Sequence, residues 1–235
     1  MPAKYSIKNY VENGYYHVYN RGVEKRLIFQ DDQDYGVFLS YLKNYLSPKD
    51  EKELRSKLLE TKISLKERDK IWQQIRMKNF NHEISLLAYC LKPIHFHFLI
   101  QQKTIDAIDK LMSSLSSRYA RYFNRKYNRV GALFQGVYRA VLISNDAQFL
   151  HLSRYIHQQA LQGDTQQGIQ PSSYPEYLGI RNTIWIHPEE ILTFFSKFNP
   201  SLSYENYVKE DEDFNSLEDL TLETPSQDAT QQGVS

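Results

Sequence analysis

An α+β fold is what the order of periodicities along these 235 residues predicts: an antiparallel sheet with helices on one face, arranged as a ferredoxin-like split βαβ sandwich. Three observations lead there. Short runs rich in tyrosine, valine and other apolar residues alternate with longer segments whose apolar positions recur every three or four residues. The two middle strands are joined by a tight Lys92-Pro93 connection. Read end to end, the order is strand, helix, insertion, strand, strand, helix, strand, helix, which that sandwich accommodates directly.

Residues 15 to 20, rich in tyrosine and valine, form the first expected strand, closed by Arg21-Gly22. Asp31 and Asp32 are candidate N-caps for a helix in which Tyr35, Phe38, Leu39, Leu42 and Leu46 recur at helical spacing until Ser47-Pro48 stops it. Residues 49 to 80 change to dense mixed charge with Leu54/Leu58 and Ile71/Ile75 at i, i+4, which predicts an inserted helical hairpin, a solvated arm rather than a catalytic part. Residues 83 to 101 supply the hairpin strands. Thr104 is expected to cap the next helix, with Ile105, Ile108, Leu111, Met112, Leu115, Tyr119 and Tyr122 as its apolar stripe. Residues 134 to 143 are the expected fourth strand, and Asn145 or Asp146 starts the helix carrying Tyr155. A core domain over 1–160 follows, then an extension over 161–200 packed on it, in which residues 185 to 198 supply a short helix. An acidic, disordered tail is expected over 201–235, and no internal repeat is visible.

The net charge of +1 conceals an asymmetry. From Ser201 onward nine acidic residues face Lys209 alone, a net of −8, which leaves +9 on residues 1–200. A basic body with an acidic tail suits a protein that handles nucleic acid, the tail competing with phosphates for the body. No apolar run reaches the roughly 20 residues of a membrane span, and residues 1–10 lack the apolar run of a signal peptide, so a cytoplasmic protein without membrane partners is expected. The single cysteine, Cys90, lies in an apolar run and is expected to be buried and inert.

His95 and His97 stand one residue apart on the second hairpin strand, so they point to one side and can share a metal ion. Tyr155 and Gln159, at i and i+4 of a helix, also share a face, so a phenol and an amide oxygen can approach that metal together. Two imidazoles and an amide make a mixed N/O donor set compatible with Mg or Mn, leaving positions open for phosphate oxygens. Such a constellation suits phosphoryl transfer to tyrosine. His151 lies one turn before Tyr155 as either a proton acceptor or surface decoration, while His17 and His157 read as structural or DNA-proximal. Between Lys110 and Asp146 come Arg118, Arg121, Arg125, Lys126, Arg129 and Arg139 with no acidic residue among them, interleaved with Tyr119, Tyr122, Phe123, Tyr127, Phe134 and Tyr138. Cations interleaved with aromatic faces favour single strands or hairpin loops. With Arg21, these are the candidate nucleic-acid-binding residues.

Taken together, Tyr16-His17-Val18-Tyr19-Asn20-Arg21-Gly22, the stretch from Ala88 through Lys92-Pro93-Ile94-His95-Phe96-His97, Leu133-Phe134-Gln135-Gly136 and Arg154-Tyr155-Ile156-His157 resemble the REP-associated tyrosine transposases, a group of the single-tyrosine HUH transposases of bacterial insertion sequences. The resemblance spans about residues 15–160 in order. It implies a ferredoxin-like fold, a divalent metal (Mg or Mn) on His95 and His97 with Gln159 completing the site, Tyr155 as nucleophile, and single-stranded or hairpin DNA as substrate. The implied reaction is transesterification through a 5′-phosphotyrosine intermediate, by a monomer or homodimer. Two positions depart from the family pattern: Gln158-Gln159-Ala160 stands where an Asn-Pro step is usual, and Ile94 replaces a polar residue. The rival readings are a catalytically silent binder of structured single-stranded DNA or RNA, and a metal-dependent phosphodiesterase that uses water as nucleophile.

Overall fold

Residues 10–60, 62–162 and 170–210 are described by a computed structural model of the chain, and the expected order of elements is present in them. Strand β1 (Tyr15–Arg21) leads through a short 3₁₀ turn into α1 (Asp32–Leu46); α2 (Glu51–Leu58) and α3 (Leu65–Arg76) form the inserted pair. Then come β2 (Ile84–Lys92), β3 (His95–Gln102), α4 (Ala107–Lys126), β4 (Arg139–Leu142) and α5 (Asp146–Leu161). Capping chemistry sets several helix starts: the Asp31 carboxylate accepts from the Asp34 amide, Ser64 and Glu67 form a reciprocal capping box, and Asn145 accepts from Gln148. The extension adds α6 (Tyr174–Tyr177), α7 (Glu189–Leu192) and α8 (Tyr204–Lys209).

The four strands run β2-β3-β1-β4, antiparallel at every junction, so the α+β class and the split βαβ arrangement hold. Strand alternation gives each face its own core. On one side Tyr16 and Val18 of β1 and Phe96, Phe98 and Ile100 of β3 meet Phe38 and Leu42 of α1 and Leu111, Leu115 and Tyr119 of α4. On the other, Ala88, Cys90 and Leu99 meet Phe149, Leu152, Tyr155 and Ile156 of α5, which is in turn covered by Tyr204 and Val208 of α8. The second layer corrects the expectation of helices on one face only. Every residue of α5 from Leu152 to Ala160 is buried, because the helix is held between the sheet and the extension.

Several boundaries also move. Thr104 does not cap α4; its hydroxyl bonds Glu83, and the helix starts after Asp106, in the left-handed region at φ 69°. Ile105 is thereby left exposed, and Phe123 takes a place in the stripe instead. The fourth strand is short, since residue 134 contributes only an isolated bridge to Gly22. Close approach of the Arg26 backbone explains the glycine at position 22. A Cβ at Gly22 would lie 2.2 Å from the Arg26 carbonyl oxygen, while its amide donates to the Ile94 carbonyl at 2.8 Å. The packed extension continues past residue 200, with a 3₁₀ turn over Pro200–Leu202 followed by α8; the rest of the expected acidic tail, 211–235, lies outside the described residues. Cys90 is fully buried and burial pushes its thiol up to about 12, as an inert thiol requires. Among the described residues no helix is long and apolar enough to cross a membrane.

Candidate active site

The face of the sheet beneath α5 gathers the chemically interesting side chains. His95 and His97 alternate onto it from β3, their ring centroids 4.9 Å apart at 82°. Tyr155 reaches the same place from α5 and sets its ring edge-on to His97 at 5.3 Å. The β1 register opposes Tyr19 to His97, and His17, two residues earlier on that side, stacks on His97 at 5.1 Å. His17 Nε2 and His97 Nδ1 are 2.9 Å apart in a hydrogen bond between two fully buried rings. His17, read from sequence as structural or DNA-proximal, is thus a buried partner of His97. Sequence spacing carried no sign of it, because 80 residues and a strand register separate the two rings. His157, by contrast, is structural: its nitrogens bond the Tyr204 hydroxyl at 2.7 Å and Ser173 Oγ at 2.8 Å.

Burial decides the protonation of the imidazoles. It pushes His95 down to about 4, with Lys92 and Arg21 adding to the effect, and holds His97 well below the usual histidine range, helped by His17, His95 and Lys92. Both rings are therefore neutral near pH 7, the form that offers a lone pair. His97 Nε2 is buried without a hydrogen-bond partner, an arrangement that costs free energy unless something accepts that lone pair. Gln159 is also buried, and its Oε1 accepts from Lys92 Nζ at 3.1 Å. Two neutral imidazoles and one amide oxygen fit a mixed N/O metal centre in donor chemistry. Among the described residues no group of three or more His, Cys, Asp or Glu side chains could hold a metal, so no carboxylate would join them.

A family model described as "Transposase IS200 like" matches residues 52–159, a span that contains His95, His97, Tyr155 and Gln159 and leaves out β1. Over that span the chain is similar to the IS200-like transposases. Among solved structures it is similar to a REP-associated tyrosine transposase bound to a REP hairpin, at 11% identity over 84% of this chain and 94% of that one, with a TM-score of 0.44. Another similar structure is a Deinococcus radiodurans R1 protein described as a transposase, at 14% identity, 66% and 96% coverage and a TM-score of 0.34. No curated protein matches the chain.

The basic residues picked out by sequence divide between two surfaces. Arg139, two residues before Val141 on β4 and directly opposite Tyr19, lies on the Tyr155 side of the sheet, as does Arg21, which acts on His95. Arg21 also bonds Gln135, next to the site. The others follow α4, which packs on the opposite face. Arg121 and Arg125 are exposed there. Arg118 sits over the Tyr41 ring at 4.2 Å, Arg129 donates to Asn124 at 2.7 Å, and Lys126 is paired with Asp31 at 2.6 Å and buried Asp34 at 2.8 Å. His17 and Lys92, which the sequence reading did not place among the metal, catalytic or DNA-binding residues, lie against His97 and Gln159. The Lys92-Pro93 turn signal concealed the second.

Proposed function

We propose that this protein is a REP-associated type of single-tyrosine HUH transposase, which cleaves and rejoins single-stranded, hairpin-forming DNA through a 5′-phosphotyrosine intermediate. The observation that carries the reading is Tyr155 set against His97, whose buried Nε2 has no hydrogen-bond partner, within the span matched by the family. In the reaction the Tyr155 oxygen attacks the scissile phosphorus, a new P–O bond to the phenol forms, and the P–O3′ bond breaks. The phenolic proton ends on the released 3′-hydroxyl, so no nucleotide cofactor enters. Attack by another 3′-hydroxyl reverses these bonds and joins strands.

His95, His97 and Gln159 would hold the divalent metal, Mg or Mn, which when bound supplies Lewis-acid polarisation of the phosphate. Arg21 and Arg139, on the Tyr155 side, would hold the DNA backbone near the reacting phosphate. Arg121 and Arg125 would attract flanking DNA on the far face, with Arg118, Lys126 and Arg129 contributing to its positive field. The proposal includes a cytoplasmic protein working as a monomer or homodimer.

The test incubates the full chain with labelled hairpin oligonucleotides drawn from the flanks of its own gene, with Mn or Mg, and looks for a denaturation-resistant adduct. An adduct lost in Tyr155→Phe and His95→Ala is expected. Cleavage without an adduct would favour the water-dependent phosphodiesterase. A silent binder of structured single-stranded DNA or RNA has one observation on its side: Tyr155 is only 4% exposed and must become uncovered before a phosphodiester reaches it. Hairpin binding with no adduct under any metal would establish that second reading.

A further inference from the structure

We infer that Lys92 is a cation built into the metal site, competing with the divalent ion for Gln159 and weakening metal binding in the free protein. The inference rests on the metal reading of His95, His97 and Gln159. Lys92 ends β2 directly opposite His95, and residues opposed across an antiparallel pair point to one side, so its stem is directed onto the site face. Its ammonium donates to the oxygen of Gln159 that a metal would need, at 3.1 Å.

The donor set sharpens the competition. Two imidazoles and an amide are all neutral, and no carboxylate joins them among the described residues, so none of the protein ligands offsets a double positive charge. A divalent ion entering beside the ammonium meets repulsion well above thermal energy, because like charges a few ångströms apart interact strongly in a partly buried site. Either Lys92 swings out or the metal binds weakly. A DNA phosphate changes the balance, since an anionic oxygen is a better acceptor for the ammonium than an amide. Gln159 is then released as the phosphate arrives, and metal binding becomes coupled to DNA binding.

The experiment measures Mn affinity of the full chain, without DNA, by electron paramagnetic resonance. Lys92→Met should bind Mn at least tenfold more tightly than the unmodified protein, while Lys92→Arg, which keeps the charge, should stay within about threefold of it. Circular dichroism checks folding, and Lys92→Gln serves if the methionine variant does not fold. Equal affinity in Lys92→Met and the unmodified protein, with both lost on His95→Ala, overturns the competition and leaves the metal site standing. Mn binding in Lys92→Met that survives His95→Ala overturns the metal site itself, and the competition with it.

Discussion

Replacing His17 with phenylalanine keeps a ring in the buried space next to His97 and removes the nitrogen 2.9 Å from His97 Nδ1. For Nε2 to present its lone pair, Nδ1 must carry the proton and donate it to His17 Nε2, so the bond selects both tautomer and ring orientation. Without it, a fully buried Nδ1 is left unpaired beside an Nε2 that already lacks a partner. An unsatisfied buried group costs about 1–3 kcal/mol. Loss of such an orienting partner lowers metal affinity about 10- to 100-fold. Urea unfolding gives the first figure, Mn titration the second, and the side-chain ¹⁵N shifts of His97 report the tautomer directly. His17→Gln, whose amide oxygen can accept from Nδ1, should recover part of the affinity. A His17→Phe protein with unchanged Mn affinity and an unchanged His97 tautomer would refute the positioning role; a stability loss alone would mean that His17 is only packing.

Asp34 is fully buried and accepts from the Gln30 amide, the Tyr122 and Tyr127 hydroxyls and Lys126, so Asp34→Ala should cost about 3–5 kcal/mol in urea unfolding. A loss below about 1 kcal/mol would mean water replaces the carboxylate, against its burial. Acid should weaken the fold through His157, which burial pushes down to about 3, whereas an unfolded histidine titrates near 6.5. The unfolded state therefore binds more protons between these values, so stability present above pH 6.5 is lost as pH falls toward 3, by roughly 4–5 kcal/mol at the limit. His95 acts with the same sign down to about 4, and a urea midpoint that stays flat from pH 7 to 4.5 would contradict both. Truncation after residue 200 removes Tyr204 and Val208 from their place on α5 and should destabilise the domain by several kcal/mol, about the loss of two buried side chains. Truncation after 210 removes seven acidic and no basic residues and should tighten hairpin binding at low salt without changing the melting temperature; unchanged affinity would refute restraint by the tail.

Sequence by itself determined the local features. Period-two alternation put His95 and His97 on one side of a strand, helical spacing put Tyr155 one turn before Gln159, and Asp31 and Asn145 marked helix starts that the structure keeps. These are properties of neighbours within one element, fixed by backbone geometry. Tertiary structure alone decided what each face meets. β1 lies between β3 and β4, and only its register brings His17 to His97. The chain passes to the second face of the sheet for α5, burying its residues 152–160 on all sides and bringing Gln159 to Lys92 from 67 positions away. The same sheet separates the α4 arginines from Tyr155, although they had formed one run with Arg139 in sequence. Periodicity states that a face is apolar or charged; which element covers it is settled by long-range packing, to which the spacing of residues along the chain is blind.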